Sequence, residues 1–172
     1  LIMPHNFEAI VVADSVGRAR HIAVRDNGDL YIQLQQLKDG KGIAALRDKD
    51  GDGRADTLAY FGEHAGTGME IYEGYLYCSS NTAVFRYRLP EDGSLVPEES
   101  SRELVVSDFP EQGSHEAKSL TFDNDGHLYV NVGAPSNSCM KEARTKGSTG
   151  QDPCPQLEWH AGIWQFDATQ TG

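Results

Sequence analysis

The chain has 172 residues, with 26 acidic and 15 basic side chains and a formal net charge of −11. This balance argues against nucleic-acid binding, which needs clustered Lys and Arg, and no segment reaches the roughly 18 consecutive apolar residues of a transmembrane helix. We therefore expect a soluble protein whose partner is a neutral small molecule or a cation.

Three segments of the chain share one pattern, in which a short alternating apolar run is followed by a turn with Gly and then by Leu, Tyr and an apolar residue. They are residues 20–32, 68–78 and 118–130, with turn glycines at Gly28, Gly74 and Gly126. Alternation with a period of two is typical of half-buried strands, and Gly supplies the positive φ of a tight turn. Each segment is therefore predicted to be a β-hairpin.

Further strand-like runs flank each hairpin, so that about four short strands make one unit. The upstream runs are 8–13, 57–61 and 102–107, and the downstream runs are 42–47, 83–89 and 162–167. The turn glycines at 28, 74 and 126 are 46 and 52 residues apart, a spacing that favours the blades of a β-propeller. A β-sandwich is the alternative, because it also uses many short strands.

The predicted fold class is therefore all-β, a propeller of four-stranded antiparallel blades, with approximate repeats at 8–56, 57–101 and 102–172. No second domain is predicted in residues 1–172. Propellers usually need 4–8 blades to close, and three blades would leave two exposed sheet edges. We therefore expect the chain to be part of a larger protein.

An acidic loop follows the first hairpin and has the ligand spacing of a calcium site. Its candidate ligands are the side chains of Asp48, Asp50, Asp52 and Asp56 and the backbone carbonyl of Arg54. Oxygen ligands at alternate positions followed by Gly can wrap a hard cation such as Ca²⁺, and the pattern resembles the calcium hairpin loops of integrin propellers. The alternative is a solvated acidic turn.

Two histidines, His64 and His115, precede the second and third hairpins. In a propeller such a connection runs from the outer edge of one blade to the innermost strand of the next, close to the central axis where ligands bind. A neutral His can act as a general base near pH 7. His115 is therefore the candidate base, and a hydrogen-bonding loop residue is the alternative.

The three cysteines indicate two different roles. Cys139 and Cys154 bracket a loop rich in Gly, Ser, Thr and Pro, which favours a disulfide over two free thiols and suits an exported protein, periplasmic or secreted. This loop either overhangs the mouth of the central funnel of the propeller, where it would shape substrate access, or is a surface loop with no role in binding. Cys78 lies in an apolar strand pattern and is predicted to be a small buried hydrophobe.

Residues 113–133, which read Gly-Ser-His-Glu-Ala-Lys-Ser-Leu-Thr-Phe-Asp-Asn-Asp-Gly-His-Leu-Tyr-Val-Asn-Val-Gly, resemble the blade motif of the glucose/sorbosone dehydrogenase family. The resemblance extends to residues 20–28 and to the acidic loop, as in sorbosone-dehydrogenase-like members. It implies about three blades of a six-bladed propeller that uses pyrroloquinoline quinone (PQQ), with His115 as the base. The residues that hold PQQ would then lie beyond Gly172.

Two positions depart from that family. Soluble glucose dehydrogenases have an Arg where this chain has Ser119, and an Asp, which often supports the His, where this chain has Ala134. Either another acid orients His115 or the activity differs.

The predicted function is the N-terminal half of a PQQ-dependent aldose or sorbosone-type dehydrogenase. The complete enzyme would transfer a hydride from a sugar carbon to the quinone. This piece alone is expected to be inactive. Two alternatives stay open. One is a non-enzymatic carbohydrate- or protein-binding propeller. The other is a metal-dependent lactonase, for which Glu70 and Asn131 are the inner-hairpin candidates as ligands.

Overall fold

Eleven β-strands carry the fold in the computed structural model, which describes residues 3–170. In chain order they are β1 (Ala19–Val24), β2 (Leu30–Lys38), β3 (Lys41–Arg47), β4 (Thr57–Phe61), β5 (Met69–Tyr72), β6 (Tyr75–Ser79), β7 (Val84–Arg88), β8 (Arg102–Val106), β9 (Leu120–Phe122), β10 (His127–Val132) and β11 (Gly162–Asp167). Short 3₁₀ helices cover Glu99–Ser101, Asn137–Cys139 and Pro155–Glu158. Within residues 3–170 no helix has the length and apolar character that crossing a membrane requires.

The strands form three antiparallel sheets, each a meander of sequence neighbours. The first has the order β1-β2-β3-β4, the second β5-β6-β7-β8, and the third β9-β10-β11. Consecutive hairpins of this kind are the architecture of propeller blades. The all-β prediction is confirmed, and the three predicted hairpins are β1-β2, β5-β6 and β9-β10.

The sheets are shifted by one strand from the repeats predicted at 8–56, 57–101 and 102–172. Thr57–Phe61 is the last strand of the first sheet, paired with β3, and Arg102–Val106 is the last strand of the second sheet, paired with β7. The sequence pattern of a strand shows its alternation but not which neighbour it pairs with. Here the acidic loop folds β4 back onto β3. β4 and β8 are therefore each the last strand of a sheet, and neither is the first strand of the next.

The strand predicted at 8–13 does not form. This segment instead lies against the first sheet, where Ala13 packs on the cluster of Ile32, Leu34, Ala44 and Leu46. Its backbone meets the end of the acidic loop through a bond from Ala55 N to Val12 O of 2.8 Å. Residues 8–12 are exposed, so that Ala13 is the part of this segment that packs on the sheet cluster.

The core lies between successive sheets. Tyr31, Ile43, Ala45 and Phe61 of the first sheet pack against Met69, Leu76, Cys78 and Tyr87 of the second. The opposite face of the second sheet, including Tyr77 and Val84, packs against Leu120, Leu128 and Val130 of the third. Because alternate residues of the second sheet are buried on both faces, that sheet requires a neighbour on each side.

Backbone contacts join the connections to the neighbouring sheets. Ser79, at the end of β6, is buried, and its hydroxyl donates to Lys118 O at 2.6 Å and accepts from Gly68 N at 2.8 Å. The connection before β5 presses so closely on β6 that a Cβ on Gly66 would overlap Ser79 O. These contacts hold the connections before β5 and before β9 against the end of β6.

We expect Gly66→Ala to destabilise the protein by about 3 kcal/mol, because the new methyl group overlaps backbone that has no room to move. Gly162→Ala is the matched control, since a Cβ at Gly162 meets no atom within 4 Å. Urea unfolding followed by circular dichroism measures both variants. Equal stability of the two variants would contradict the close approach at Gly66.

Candidate functional site

His115 lies on the connection that leads from β8 to β9. The first strands of the three sheets adjoin one another, because β5 contacts both β1 and β9. The connection therefore brings residues 107–119 from the outer strand of one sheet to the inner strand of the next. His115 is exposed, and its backbone has a φ of +54°, a left-handed conformation in which His is one of the more frequent non-glycine residues.

Two neighbours hold the backbone of His115 in this conformation. Gly133, just after β10, lies directly beneath it, and a Cβ on Gly133 would stand 2.5 Å from His115 O and 2.7 Å from His115 Cβ. The side-chain amide of Gln112 donates to Ser114 O at 2.7 Å, His115 O at 2.9 Å and Gly133 O at 3.1 Å. One amide thus ties both chain segments together.

The imidazole of His115 is oriented by a backbone carbonyl. Its Nδ1 lies 2.7 Å from Ala134 O. Because a carbonyl oxygen only accepts, Nδ1 carries the proton in this bond, and in the neutral ring Nε2 then has the lone pair. The carbonyl of Ala134 therefore selects the same tautomer of His115 that a carboxylate would select. His115 has an orienting partner although this chain has Ala134 where the soluble glucose dehydrogenases have an Asp.

Lys118 is a buried cation close to His115. Its side chain is fully buried, and Nζ donates to Glu116 O at 2.6 Å. Burial lowers the pKa of this ammonium group, and the negative charge of Glu116 acts in the opposite direction. The bond fixes the chain immediately after His115.

His64 has a different environment on the preceding connection. Its ring stacks on Phe85, with centroids 4.0 Å apart and planes 5° apart, and its Nε2 lies 3.2 Å from Arg102 Nη1. A guanidinium only donates, so Nε2 accepts this bond and has no lone pair free. Burial, and then the charge of Arg102, lower the pKa of His64. His64 therefore has the features of a packing residue.

The acidic loop between β3 and β4 brings three carboxylates together. Ligand oxygens of Asp48, Asp50 and Asp56 all lie within 4.8 Å of one another, and within residues 3–170 no other group of three His, Cys, Asp or Glu side chains does so. Asp52 stands outside this group, and its carboxylate accepts from Arg54 N at 2.7 Å. Sequence spacing alone does not distinguish it from the other three.

Backbone N–H groups of the loop stabilise its carboxylates. The two oxygens of Asp48 accept from Gly51 N and Gly53 N, each at 2.8 Å, and Asp56 accepts from Lys49 N at 2.6 Å. The bond from Gly53, followed by that from Gly51, lowers the pKa of Asp48. These two bonds therefore stabilise the ionised form of the Asp48 carboxylate.

The cysteines occupy two environments. Cys139 and Cys154 form a disulfide with an S–S distance of 2.04 Å and a Cα–Cα distance of 6.0 Å, in the long segment between β10 and β11. Cys78 is buried at the interface of the first two sheets, and burial raises the pKa of its thiol to about 12. It is a packing residue, because the thiolate is the reactive form.

Glu70 and Asn131 lie on different sheets, on β5 and β10. Glu70 is not part of the carboxylate cluster in residues 3–170, and Asn131 is exposed. The residues that sequence reasoning missed are Gln112, Gly133 and Lys118, which hold the connection. Only Gly133 has a signal in the sequence, because a glycine just after a strand often marks a close backbone approach.

Comparisons with known proteins agree with the propeller-like fold. An AA12 carbohydrate-active enzyme of Trichoderma reesei in a calcium structure matches with a TM-score of 0.69 and 18% identity, over 97% of this chain and 42% of the other. The PQQ domain of a pyranose dehydrogenase of Coprinopsis cinerea in holo form matches with a TM-score of 0.70 and 15% identity, over 92% and 36%. A PQQ-bound aldose sugar dehydrogenase of Streptomyces coelicolor matches with a TM-score of 0.51 and 16% identity, over 84% and 48%.

This chain thus spans less than half the length of each of these structures. A family model described as TrAA12-like matches residues 1–152. No curated protein sequence matches the chain.

We expect the pKa of His64 to lie below 6.5 in the folded protein, because burial disfavours the charged ring and because protonation would place it beside the Arg102 guanidinium. The unfolded chain binds the proton more readily, so the stability gained from the neutral ring is complete above about pH 6.5 and is lost as the pH falls below it. Urea unfolding between pH 7.5 and 5 should show a steeper loss for the native protein than for His64→Asn. Parallel profiles would exclude this linkage.

Proposed function

Because the chain belongs to the TrAA12-like family, we propose that it is the part of a PQQ-dependent sugar dehydrogenase that carries the proton acceptor, His115. The observation that supports this role most directly is the bond between His115 Nδ1 and Ala134 O. It leaves Nε2 as a hydrogen-bond acceptor on an exposed side chain. A general base for a sugar hydroxyl needs a lone pair held in a fixed direction.

The chemistry divides between this histidine and the cofactor. When bound, PQQ supplies a two-electron acceptor for the hydride of the hydroxyl-bearing sugar carbon. Nε2 of His115 takes the hydroxyl proton, while Ala134 O and the amide of Gln112 keep the ring and its backbone in place. The imidazolium that forms keeps its Nδ1–H bond to the carbonyl, so the transfer needs no rearrangement of the ring.

Lys118, on the same connection as His115, and Arg102, beside His64, already have polar partners, and these contacts bear on where the cofactor binds. The ammonium of Lys118 donates to Glu116 O, and the guanidinium of Arg102 is shared between Glu99 at 3.0 Å and His64 at 3.2 Å. A quinone that carries carboxylates needs cations or N–H groups that are free to bind it. We therefore place the residues that hold PQQ in further blades of a six-bladed ring, outside residues 3–170, so that this piece alone is inactive.

The acidic loop is proposed as a calcium site that stabilises the turn between β3 and β4. Asp48, Asp50 and Asp56 already converge, and the carbonyl of Arg54 follows in the position of a backbone ligand. A bound cation would offset the repulsion among the three carboxylates. The calcium structure of the similar AA12 enzyme is in keeping with this proposal.

The disulfide supports an exported protein, periplasmic or secreted, because Cys139–Cys154 is a bond that persists in oxidising compartments. A neutral sugar is a substrate that a chain of net charge −11 does not repel.

In the complete protein reconstituted with PQQ, His115→Asn should lower kcat by about 10²–10⁴-fold, the usual contribution of a general base. Asn tolerates the positive φ of this position, so that the loss reports on the imidazole and not on the backbone. The assay follows reduction of an artificial electron acceptor by a sugar. His127→Asn is the control, because His127 also has its Nδ1 bound, at 2.9 Å from Asp123, but lies on the β9-β10 hairpin. Full turnover by His115→Asn would exclude the proposed role.

Calcium without quinone should raise the melting temperature of the protein, by an amount equivalent to about 2.7 kcal/mol at a hundredfold excess over Kd. Asp48→Asn should abolish the shift, because Asp48 is the first ligand and both of its oxygens hold the loop. Asp26→Asn, in the β1-β2 turn, should leave it unchanged. Differential scanning fluorimetry with calcium and with a chelator measures all three proteins, and an Asp48→Asn protein that responds like the parent contradicts the site.

A further inference from the structure

Two connections of the chain run from the last strand of one sheet to the first strand of the next, and each carries a histidine at the same place. They are residues 62–68, the first connection, and residues 107–119, the second connection. His64 stands five residues before Met69, where β5 begins, and His115 stands five residues before Leu120, where β9 begins. The two histidines therefore occupy equivalent positions in successive units of the fold.

The backbone carbonyls of these two histidines are held in the same way. The side-chain amide of Gln33 donates to His64 O at 3.1 Å, and that of Gln112 donates to His115 O at 2.9 Å. A glycine lies directly against each carbonyl, where a Cβ would overlap the oxygen. Both connections thus share an amide and a glycine as partners of the histidine carbonyl.

The two histidines nevertheless differ in backbone and in ring orientation. His115 has a left-handed backbone, and its Nδ1 lies 2.7 Å from Ala134 O. His64 does not have a positive φ, and its ring stacks on Phe85 with Nε2 against Arg102. The contacts that both histidines share therefore do not produce the orientation of His115.

The residue two positions before the strand distinguishes the connections. In the second connection it is Lys118, whose side chain is fully buried and whose Nζ donates to Glu116 O at 2.6 Å. In the first connection it is Thr67, which carries no ammonium group. The second connection therefore has a bond next to its histidine that the first connection cannot make.

The backbone of Lys118 is itself held by the second sheet. Lys118 O accepts from the Ser79 hydroxyl at 2.6 Å, and a Cβ on Gly68 would stand 2.3 Å from the same oxygen. Because the backbone of Lys118 is held, the bond from its Nζ fixes Glu116 as well. His115 thus lies between two held points, the amide of Gln112 before it and Glu116 O after it. A left-handed backbone at a residue other than glycine persists only where its surroundings hold it.

Packing alone does not account for a lysine at this buried position. Taking an ammonium group out of water is costly, and replacing a buried charge by an apolar side chain of similar volume is often neutral or stabilising. A methionine would fill the space of Lys118, but it could not donate to Glu116 O. The hydrogen bond is therefore what the lysine contributes here.

We propose that Lys118 is a positioning residue for His115: its bond to Glu116 O holds the second connection so that Nδ1 of His115 meets Ala134 O and Nε2 is left for the sugar hydroxyl. This inference rests on the proposed function of His115 as the base. Lys118 acts through the backbone and is not itself in contact with the imidazole. All the groups that carry this inference are contacts within the second and third sheets and the connection between them.

NMR of the histidine rings tests the proposal in the complete protein without quinone. The protein is labelled with ¹⁵N at histidine, and the His115 signals are identified by their loss in His115→Asn. At about pH 8.5, well above the ordinary pKa of histidine, the parent should show His115 in the Nδ1–H form. Lys118→Met should give a mixture of the Nδ1–H and Nε2–H forms, because the ring no longer meets Ala134 O in a fixed position.

Ser119→Ala is the matched control for the NMR measurement, since Ser119 is the exposed neighbour of Lys118 on the same connection. It should leave the Nδ1–H form of His115 unchanged. A Lys118→Met protein that keeps the Nδ1–H form of the parent overturns the proposal.

Stability and kinetics separate positioning from packing. Lys118→Met should melt no lower than the parent, because an apolar side chain replaces a buried charge. In the protein reconstituted with PQQ its kcat should fall about 10–10²-fold, the effect of a small displacement of a catalytic group, with KM little changed. Lys118→Arg, which keeps a charged donor, should recover most of kcat.

A lower melting temperature of Lys118→Met with unchanged kcat assigns Lys118 to packing and overturns the proposal. So does a Lys118→Arg protein that melts like the parent but has the kcat of Lys118→Met. The ring tautomer is measured without quinone or sugar, so a failure of Lys118 to position the ring is recorded separately from a failure of His115 to act as the base, which His115→Asn reports through turnover.

Discussion

The arrangement of this protein depends on the close approach between each connection and the backbone of an adjacent strand end. At Gly66 a single methyl group would overlap Ser79 O, and at Gly133 it would overlap the backbone and Cβ of His115. Such contacts exist only where one partner has no side chain. In both cases the connection that enters a sheet passes over the end of that sheet's second strand, so these contacts give the connections their path across the end of the sheets.

The position of His115 is a consequence of this approach. The connection passes over Gly133, the amide of Gln112 bridges the two segments, and the next carbonyl, that of Ala134, lies where it can accept from the imidazole. A carbonyl fixes the tautomer and the direction of the ring but brings no negative charge to stabilise an imidazolium. The proposed base is thus oriented by backbone alone, which explains how Ala134 can occupy a position that often carries an Asp in the soluble glucose dehydrogenases.

The packing of the third sheet on the second combines apolar and polar contacts. Trp164 and Phe166 of β11, both partly buried, pack against the cluster that joins the two sheets. The hydroxyl of Ser79, at the end of β6, donates to Lys118 O on the connection that leads to the third sheet. The two sheets are therefore joined both through their facing side chains and through the connection between them.

The sequence by itself determined the three hairpins, the all-β class and the residues of the acidic loop, because alternation, turn glycines and ligand spacing are local properties of the chain. It also indicated His115, through its place before a hairpin. The tertiary structure decided which sheet β4 and β8 join, that residues 8–13 form no strand, and that Asp52 stands outside the carboxylate cluster. It also decided that Nε2 of His64 is hydrogen-bonded to Arg102, whereas the bond of His115 to Ala134 O uses Nδ1. These outcomes depend on contacts between residues distant in sequence, and no local pattern records which partner a strand edge, a carboxylate or a ring nitrogen will meet.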